Sequence, residues 1–339
     1  MAANFSKSSA GGPMYPTKAY AAHHAKEPLG PFEFSRREVG PHDVLIDIHY
    51  CGVCHSDIHQ ARDEWGGSTF PMVPGHEIVG VVAKAGAHVK KFKVGDKVGV
   101  GCMVDSCREC RDCHDGEEQY CQKGAVFTYN SMERDGHTRT QGGYSTRMTV
   151  DENFVVKIPA NLSLAETAPL LCAGITTYSP LHHWKAGPGQ KVAVVGLGGL
   201  GHMAVKIAAA MGAEVTVLSH SHKKQDDAKR LGAHHFYATS EESTFKQLAS
   251  SFNLILNTVS AELDLNQYLS LLDRNGSMVL LGIPDKAAPV EAFSVIGRRR
   301  SLSGSLIGGI QETQEMLDFC GKHNIVSDIE LIPMQKINE

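Results

Sequence analysis

Between Lys191 and Ser219 the sequence reads K-V-A-V-V-G-L-G-G-L-G-H-M-A-V-K-I-A-A-A-M-G-A-E-V-T-V-L-S. A buried strand, Lys191–Val195, runs into Gly196, Gly198, Gly199 and Gly201; an alanine-rich helix follows as far as Met211, and a second strand covers Glu214–Leu218. Glycines at these points permit a tight turn and let a pyrophosphate approach the helix N-terminus, where backbone N–H groups lack partners. A glycine motif alone says little, but a strand before it, a helix after it and a strand again at this distance predict a dinucleotide site. The alternation continues through H-F-Y-A, N-L-I-L-N-T-V, S-M-V-L-L-G and S-L-S-G-S-L. Six strands alternating with helices make this half an α/β, doubly wound parallel sheet.

The end of the second strand bears on which dinucleotide is bound. An NAD site places an acid there, about 20 residues past the first glycine, to bind the ribose 2′-hydroxyl. Here T-V-L-S-H-S-H-K-K puts Ser219 in that place, with Ser221, Lys223 and Lys224 just beyond. An acid would repel a 2′-phosphate, whereas hydroxyls and ammonium groups bind it through charge-assisted hydrogen bonds, so NADP(H) is expected. The blander alternative is that the two lysines only open a solvated helix.

At 339 residues the chain has room for two domains, each with its own core. Its 33 basic and 37 acidic residues give no sign of a nucleic-acid partner or an anionic membrane surface, and its apolar runs are too short to span a bilayer. The first dozen residues lack a signal peptide's apolar core and read as a loose tail on a cytoplasmic protein. Nine cysteines are many for a reducing compartment unless most hold metal.

Their clustering fits that use. From Cys51 to Glu77 the sequence offers a thiolate at Cys54, an imidazole at His76 and a carboxylate at Glu77, with a further thiolate at Cys172 in L-C-A-G-I-T-T. Such a set can hold zinc with a position left open for water or a substrate oxygen, although a lone buried cysteine or a capping histidine is the commoner role of each residue taken singly. Ser56 and His59, between the first two ligands, can carry a proton between a reacting oxygen and solvent. His59 can equally be a surface or ribose-bonding histidine. Trp65 and Phe70 suit either an aromatic-accepting pocket or core packing.

Cys107, Cys110, Cys113 and Cys121 form a second group, C-R-E-C-R-D-C-H-D-G-E-E-Q-Y-C. Four thiolates close a tetrahedron around zinc with no place for water, which makes a structural site; an iron–sulfur cluster and a disulfide pair are the rivals. Around these motifs the first half is β-rich. Asp43–Tyr50 alternates like a half-buried strand, Ile78–Val82 is wholly apolar, and a helical pattern begins at Leu164. Cys172 lies in that first helical stretch.

From about Tyr15 onward the sequence resembles the zinc-dependent medium-chain alcohol dehydrogenases, nearest the cinnamyl alcohol dehydrogenase and aldehyde reductase branch. The resemblance rests on C-G-V-C-H-S-D-I-H, V-P-G-H-E-I-V-G, the four-cysteine lobe, L-L-C-A-G-I-T-T-Y and G-L-G-G-L-G-H. It implies a GroES-like catalytic domain (residues 1–168 and 308–339) and a Rossmann nucleotide domain (169–307). It implies two zinc ions per chain: a catalytic one on Cys54, His76 and Cys172 with Glu77 as a nearby or exchanging ligand, and a structural one in the lobe. Asp57 would support the ligands, Ser56 and His59 would form a proton relay, and Thr176 would touch the nicotinamide. The full cofactor-binding set expected is Ser56, Thr176, Gly196, Leu197, Gly198, Gly199, Leu200, Gly201, Ser219, Ser221, Lys223, Lys224, Thr258, Gly282, Ser305 and Ile307. The reaction implied is hydride transfer between NADP(H) and a small aldehyde or primary alcohol in a homodimer. A polyol or amino-alcohol dehydrogenase would share both zinc motifs, and a nucleotide-sensing zinc protein would share the fold without turnover. A zinc-free quinone reductase would have no use for Cys54, His76 and Cys172 together. The chain stops at I-N-E, where relatives continue with a helix and a final strand, which suggests truncation.

Overall fold

The computed structural model describes residues 14–284 and 286–339, so the expected N-terminal tail lies outside the described residues. The described residues divide into two compact units: residues 14–107, 125–158 and 329–339, and residues 108–124 and 159–328. Among the described residues no helix is long and apolar enough to cross a membrane.

The first unit is β-rich, with strands β1 (Tyr15–Ala21), β2 (Gly30–Arg36), β3 (Asp43–Cys51), β4 (Ile78–Ala85), β5 (Lys97–Val100), β6 (Met103–Asp105), β7 (Val126–Phe127), β8 (Arg147–Asp151) and β9 (Val156–Lys157), and one α-helix, α1 (His55–Ala61). An antiparallel sheet in the order β8-β3-β4-β5-β9 forms its centre, and β1-β2 and β6-β7 are separate antiparallel pairs. The alternation expected of β3 fails in its first half. Asp43, Val44, Leu45 and Ile46 are buried in succession, so both faces of the strand are covered there. The buried Asp43 carboxylate is satisfied by Arg37 and the Gly40 N–H.

Two loops meet beside this sheet. Gly142 N donates to Val73 O (2.7 Å), Gly143 N to Gly75 O (2.9 Å) and Tyr144 N to Pro74 O (2.9 Å). Gly75 has φ +103°, and a Cβ there would strike Tyr144 and the Cys51 sulfur, so only glycine fits immediately before His76. Arg36 pins the second loop from below, donating to the carbonyls of Gln141, Gly142 and Arg147. The last residues return to this unit: Asn338 accepts from Leu29 N and donates to Leu29 O, both at 2.9 Å, while Met334 and Ile337 pack against Ala19, Ala21, Val73 and Tyr144.

The second unit contains helices α2 (Arg111–His114), α3 (Leu164–Thr167), α4 (Ala173–His183), α5 (Gly199–Ala210), α6 (Gln225–Leu231), α7 (Glu242–Gln247), α8 (Leu265–Ser270), α9 (Ala292–Ile296) and α10 (Ile310–His323). Its strands are β10 (Lys191–Val195), β11 (Glu214–Ser219), β12 (His235–Ala238), β13 (Phe252–Asn257), β14 (Leu272–Leu280) and β15 (Ser301–Gly304). All six are parallel in the order β12-β11-β10-β13-β14-β15, the doubly wound sheet expected. Val192–Val195 is a continuous buried run because helices cover both faces of such a sheet. The strand order reverses between β10 and β13, which opens a crevice at their carboxyl ends.

The sequence places the domain change at 168/169 and gives residues 308–339 to the first domain; the compact units instead divide after Ile158 and before Ile329. The packing explains this. Gly174 of α4 leaves room for the Met316 sulfur of α10, and Asn161 donates to Gly321 O. The cysteine lobe also sides with α10. Glu118 accepts from Ile310 N at 3.0 Å, Tyr120 accepts from Leu306 N at 3.2 Å, and Gly309 lies against the Gly116 carbonyl.

Candidate active site

Cys54 stands in extended backbone immediately before α1. Asp57, in the first turn, folds back to it: Asp57 Oδ2 accepts from Cys54 N, and Asp57 N donates to Cys54 O, both at 3.0 Å. The same carboxylate, 3% exposed, accepts from Gly75 N (3.0 Å) and from the Tyr144 hydroxyl (3.1 Å), and its Oδ1 lies 3.3 Å from His76 Nδ1. Burial acts to raise the Asp57 carboxyl, but His76, the Cys54 N–H and the Tyr129 hydroxyl outweigh it and hold the group below its ordinary value. Tyr129 stacks on the His76 ring (5.8 Å between centroids, 25°). Burial and the Asp57 charge push both phenols, Tyr129 and Tyr144, upward, so each remains a hydrogen-bond donor.

Asp57, expected to support the ligands, therefore ties the helix bearing Cys54 to the loop bearing His76. Glu77 packs over Gly52, where a Cβ would overlap its carboxylate, and Gly52 N donates to Glu77 O at 3.0 Å. The donor atoms of Cys54, His76 and Glu77 lie within 4.8 Å of one another. A thiolate, an imidazole and a carboxylate are donors that fit zinc.

Ser56 Oγ lies 3.6 Å from Cys54 Sγ. His59 is three residues further along α1, on the same helical face. Its Nδ1 is 2.6 Å from Glu64 Oε2 and its ring stacks on Trp65 at 4.9 Å and 24°. Trp65 is 42% exposed, so it covers His59 and is not part of the core, whereas Phe70 is half-buried.

In the lobe, the sulfurs of Cys107, Cys110, Cys113 and Cys121 lie within 4.8 Å of one another. Those of Cys110 and Cys113 are 3.5 Å apart, far beyond a sulfur–sulfur bond of about 2.0 Å, which removes a disulfide between those two and leaves a four-thiolate tetrahedron as the chemistry that fits.

The nucleotide motif occupies the crevice between β10 and β13. Gly196 has φ +89° and a Cβ there would collide with Val259, while Gly201 lies so close to the Gly196 carbonyl that no side chain fits. The positions of Gly198 and Gly199 face open space, beside the unpaired amides at the start of α5. Leu197 is buried, and its carbonyl accepts from Lys224 Nζ at 2.8 Å; Leu200 is in the first turn of α5. Ser219 ends β11 half-buried, Ser221 is extended and Lys223 is exposed. Thr258 donates to Val195 O at 2.8 Å, Gly282 packs on the Val259 carbonyl, and Ser305 N reaches Leu280 O at 3.4 Å. Ile307 is buried with φ +40°. Thr176 is one helical turn beyond Cys172, its N–H donating to Cys172 O at 2.9 Å.

Sequence reasoning missed Tyr129, Tyr144 and Glu64. The tyrosines carried no usable signal, since neither T-Y-N nor G-G-Y has a spacing that ties it to Asp57. Glu64 stands five residues past His59, which is no helical spacing.

Comparison with known proteins agrees with this architecture. Residues 40–160 match the alcohol dehydrogenase GroES-like domain, and residues 199–322 match the zinc-binding dehydrogenase domain. The chain is 61% identical to NADP-dependent alcohol dehydrogenase C 1 of Mycolicibacterium smegmatis, over 96% of this chain and 93% of that protein. It is 53% identical to the aldehyde reductase YahK of Escherichia coli, over 95% and 93%. A cinnamyl alcohol dehydrogenase from Sorghum bicolor superposes with a TM-score of 0.92 at 43% identity, covering 95% of this chain and 92% of that one. With both domains matched and the donor set in place, the chain belongs to the zinc-dependent medium-chain alcohol dehydrogenases, in their cinnamyl alcohol dehydrogenase and aldehyde reductase branch.

Proposed function

We propose that this protein transfers hydride between NADP(H) and small aldehydes or primary alcohols, aromatic or aliphatic, and that aldehyde reduction is the reaction to assay first. The observation that carries this reading is the convergence of Cys54, His76 and Glu77 on one small volume next to the Ser56 hydroxyl. The names of the two relatives above, an NADP-dependent alcohol dehydrogenase and an aldehyde reductase, support the cofactor and the substrate class.

Cys54, His76 and Cys172 would hold the catalytic zinc, with Glu77 as a nearby or exchanging ligand. Bound there, zinc supplies Lewis acidity for a carbonyl oxygen, and the nicotinamide supplies the hydride. The chain's own residues do the rest. Ser56 gives its proton to the oxygen of the forming alcohol and is refilled from His59. Asp57 keeps His76 Nδ1 protonated, which leaves Nε2 for the metal. The α5 amides beyond Gly198 take the pyrophosphate, while Ser219, Ser221, Lys223 and Lys224 take the 2′-phosphate. Leu197, Leu200, Thr258, Gly282, Ser305 and Ile307 line the remaining cofactor path, with Thr176 at the nicotinamide. Cys107, Cys110, Cys113 and Cys121 hold the second zinc as a staple with no role in turnover.

The protein would act as a homodimer in the cytoplasm. In support, β15 is the last strand of its sheet, and nearby Phe293 and Ile296 are 79% and 63% exposed, more apolar surface than a solvated helix needs.

The test is NADPH oxidation by zinc-replete protein with cinnamaldehyde, benzaldehyde and an aliphatic aldehyde, run beside a polyol series. Turnover of aldehydes is the expected result. Oxidation confined to polyols would move the protein to the polyol dehydrogenases, and no turnover with either series would make it a nucleotide-binding zinc protein.

A further inference from the structure

We propose that Asn130 is a positioning residue for the aldehyde: its side-chain amide closes both ends of the loop from Gln60 to Thr69 and so keeps Trp65 in place as an apolar wall beside Ser56. The inference rests on the reading of this site as one for aldehydes and alcohols.

The loop leaves α1 and returns to the same amide. Thr69 N and Thr69 Oγ1 donate to Asn130 Oδ1 at 2.9 and 3.0 Å, while Asn130 Nδ2 donates to Gln60 Oε1 at 2.5 Å. A backbone N–H can only donate, so the oxygen of the amide faces Thr69 and its NH₂ group faces Gln60. Asn130 has φ +50°, a conformation that asparagine, aspartate and glycine adopt more readily than other residues. Its neighbour Tyr129 is buried and stacked on His76. Two successive residues thus serve two parts of the site, one backing His76 and the other holding the loop.

An asparagine that joins two loops is commonly a structural tie and no more. This one differs in what the loop carries. Gly66 and Gly67 have φ +76° and +79°, and a Cβ at either would meet nothing, so the tip of the loop has little packing of its own. Ser68 ties the loop only to its own chain, its N donating to Asp63 Oδ1 at 2.9 Å and its Oγ to Gln60 O at 2.7 Å. Trp65 stands between these, its ring stacked on His59 at 4.9 Å and still 42% exposed. Ordering a large side chain on such a tip costs conformational entropy, and fixing both ends of the loop lowers that cost.

His59 shares its helical face with Ser56, so the indole that covers it presents apolar surface beside the Ser56 hydroxyl. A carbonyl compound bound at Ser56 rests its substituent on that surface. An aryl group gains from a flat wall, while a methyl group offers it little area.

The experiment reads the loop and the substrate separately. The chain has two tryptophans, so Trp184→Phe leaves Trp65 as the reporter. In that background Asn130→Gly, which suits the positive φ, should raise acrylamide quenching of Trp65 about threefold and the KM for benzaldehyde about tenfold, with kcat and the KM values for acetaldehyde and NADPH within about twofold of the parent. Asn130→Asp keeps the acceptor for Thr69 and lets the Gln60 amide turn its own NH₂ group towards it, so most of the loss should be recovered. Gln60→Ala removes the other end of the tie and should act in the same direction, with little added by Asn130→Gly. Unchanged quenching and an unchanged benzaldehyde KM in Asn130→Gly would overturn the positioning role. Equal losses for benzaldehyde, acetaldehyde and NADPH would also overturn it, since they mark a general loosening of the unit. No turnover of any aldehyde by the parent enzyme would instead remove the aldehyde reading, and this inference with it.

Discussion

Asp57 Oδ1 stands 3.3 Å from His76 Nδ1 while its other oxygen accepts the Cys54 N–H at 3.0 Å, so one buried carboxylate holds together two residues that are 22 apart in the chain. The consequence is testable. Asn at position 57 keeps the shape but turns an NH₂ group towards a site where Cys54 N, Gly75 N and the Tyr144 hydroxyl are already donors. Asp57→Asn should therefore weaken zinc at this site by roughly 10- to 100-fold and leave the lobe's zinc in place. Competition with a chromophoric chelator measures this, and an unchanged affinity would mean that Asp57 serves the helix cap alone.

The relay makes an unequal demand on its two members. In the proposed relay Ser56, 3.6 Å from Cys54 Sγ, would stand next to the reacting oxygen, whereas water could bypass His59 because its ring is partly exposed. Ser56→Ala should lower kcat on the order of 100-fold and His59→Ala about tenfold. Equal losses, or a larger one at His59, would require a different path for the proton.

Cofactor choice turns on the end of β11. Ser219 closes that strand half-buried, and Ser221, Lys223 and Lys224 follow it. A carboxylate at 219 would repel a 2′-phosphate and bind a 2′-hydroxyl, so Ser219→Asp should lower kcat/KM for NADPH and raise it for NADH, reversing the preference of the parent enzyme. Equal use of the two cofactors by the unmodified protein would contradict this account of the loop.

The legible part of the molecule was the part whose chemistry is local. The parallel strands announce themselves because a strand covered on both faces is a continuous apolar run, and glycines mark the turn that no side chain could occupy, as at Gly196 and Gly201. The cysteines and the histidine proposed as metal ligands likewise stand out through residue type and spacing. The support behind them does not. Tyr144 reaches Asp57 across 87 residues, held there by Arg36, a charged side chain spent on three carbonyls. The domain limits were hidden for a similar reason: the packing of α10 on α4 at Gly174 depends on the space left by a missing side chain, which no hydrophobic pattern records.

In the proposed function two differently built sites hold metal, one open and catalytic, the other closed and structural. They should respond differently to loss of a thiolate: Cys54→Ser should abolish turnover and keep the fold, while Cys110→Ser should loosen the lobe and lower thermal stability. The most direct measurement is zinc per chain by plasma mass spectrometry, on the same sample whose aldehyde-dependent NADPH oxidation is recorded. Two zinc ions per active chain, falling to one in Cys54→Ser, is the predicted result; one zinc in an intact and active parent chain would contradict it.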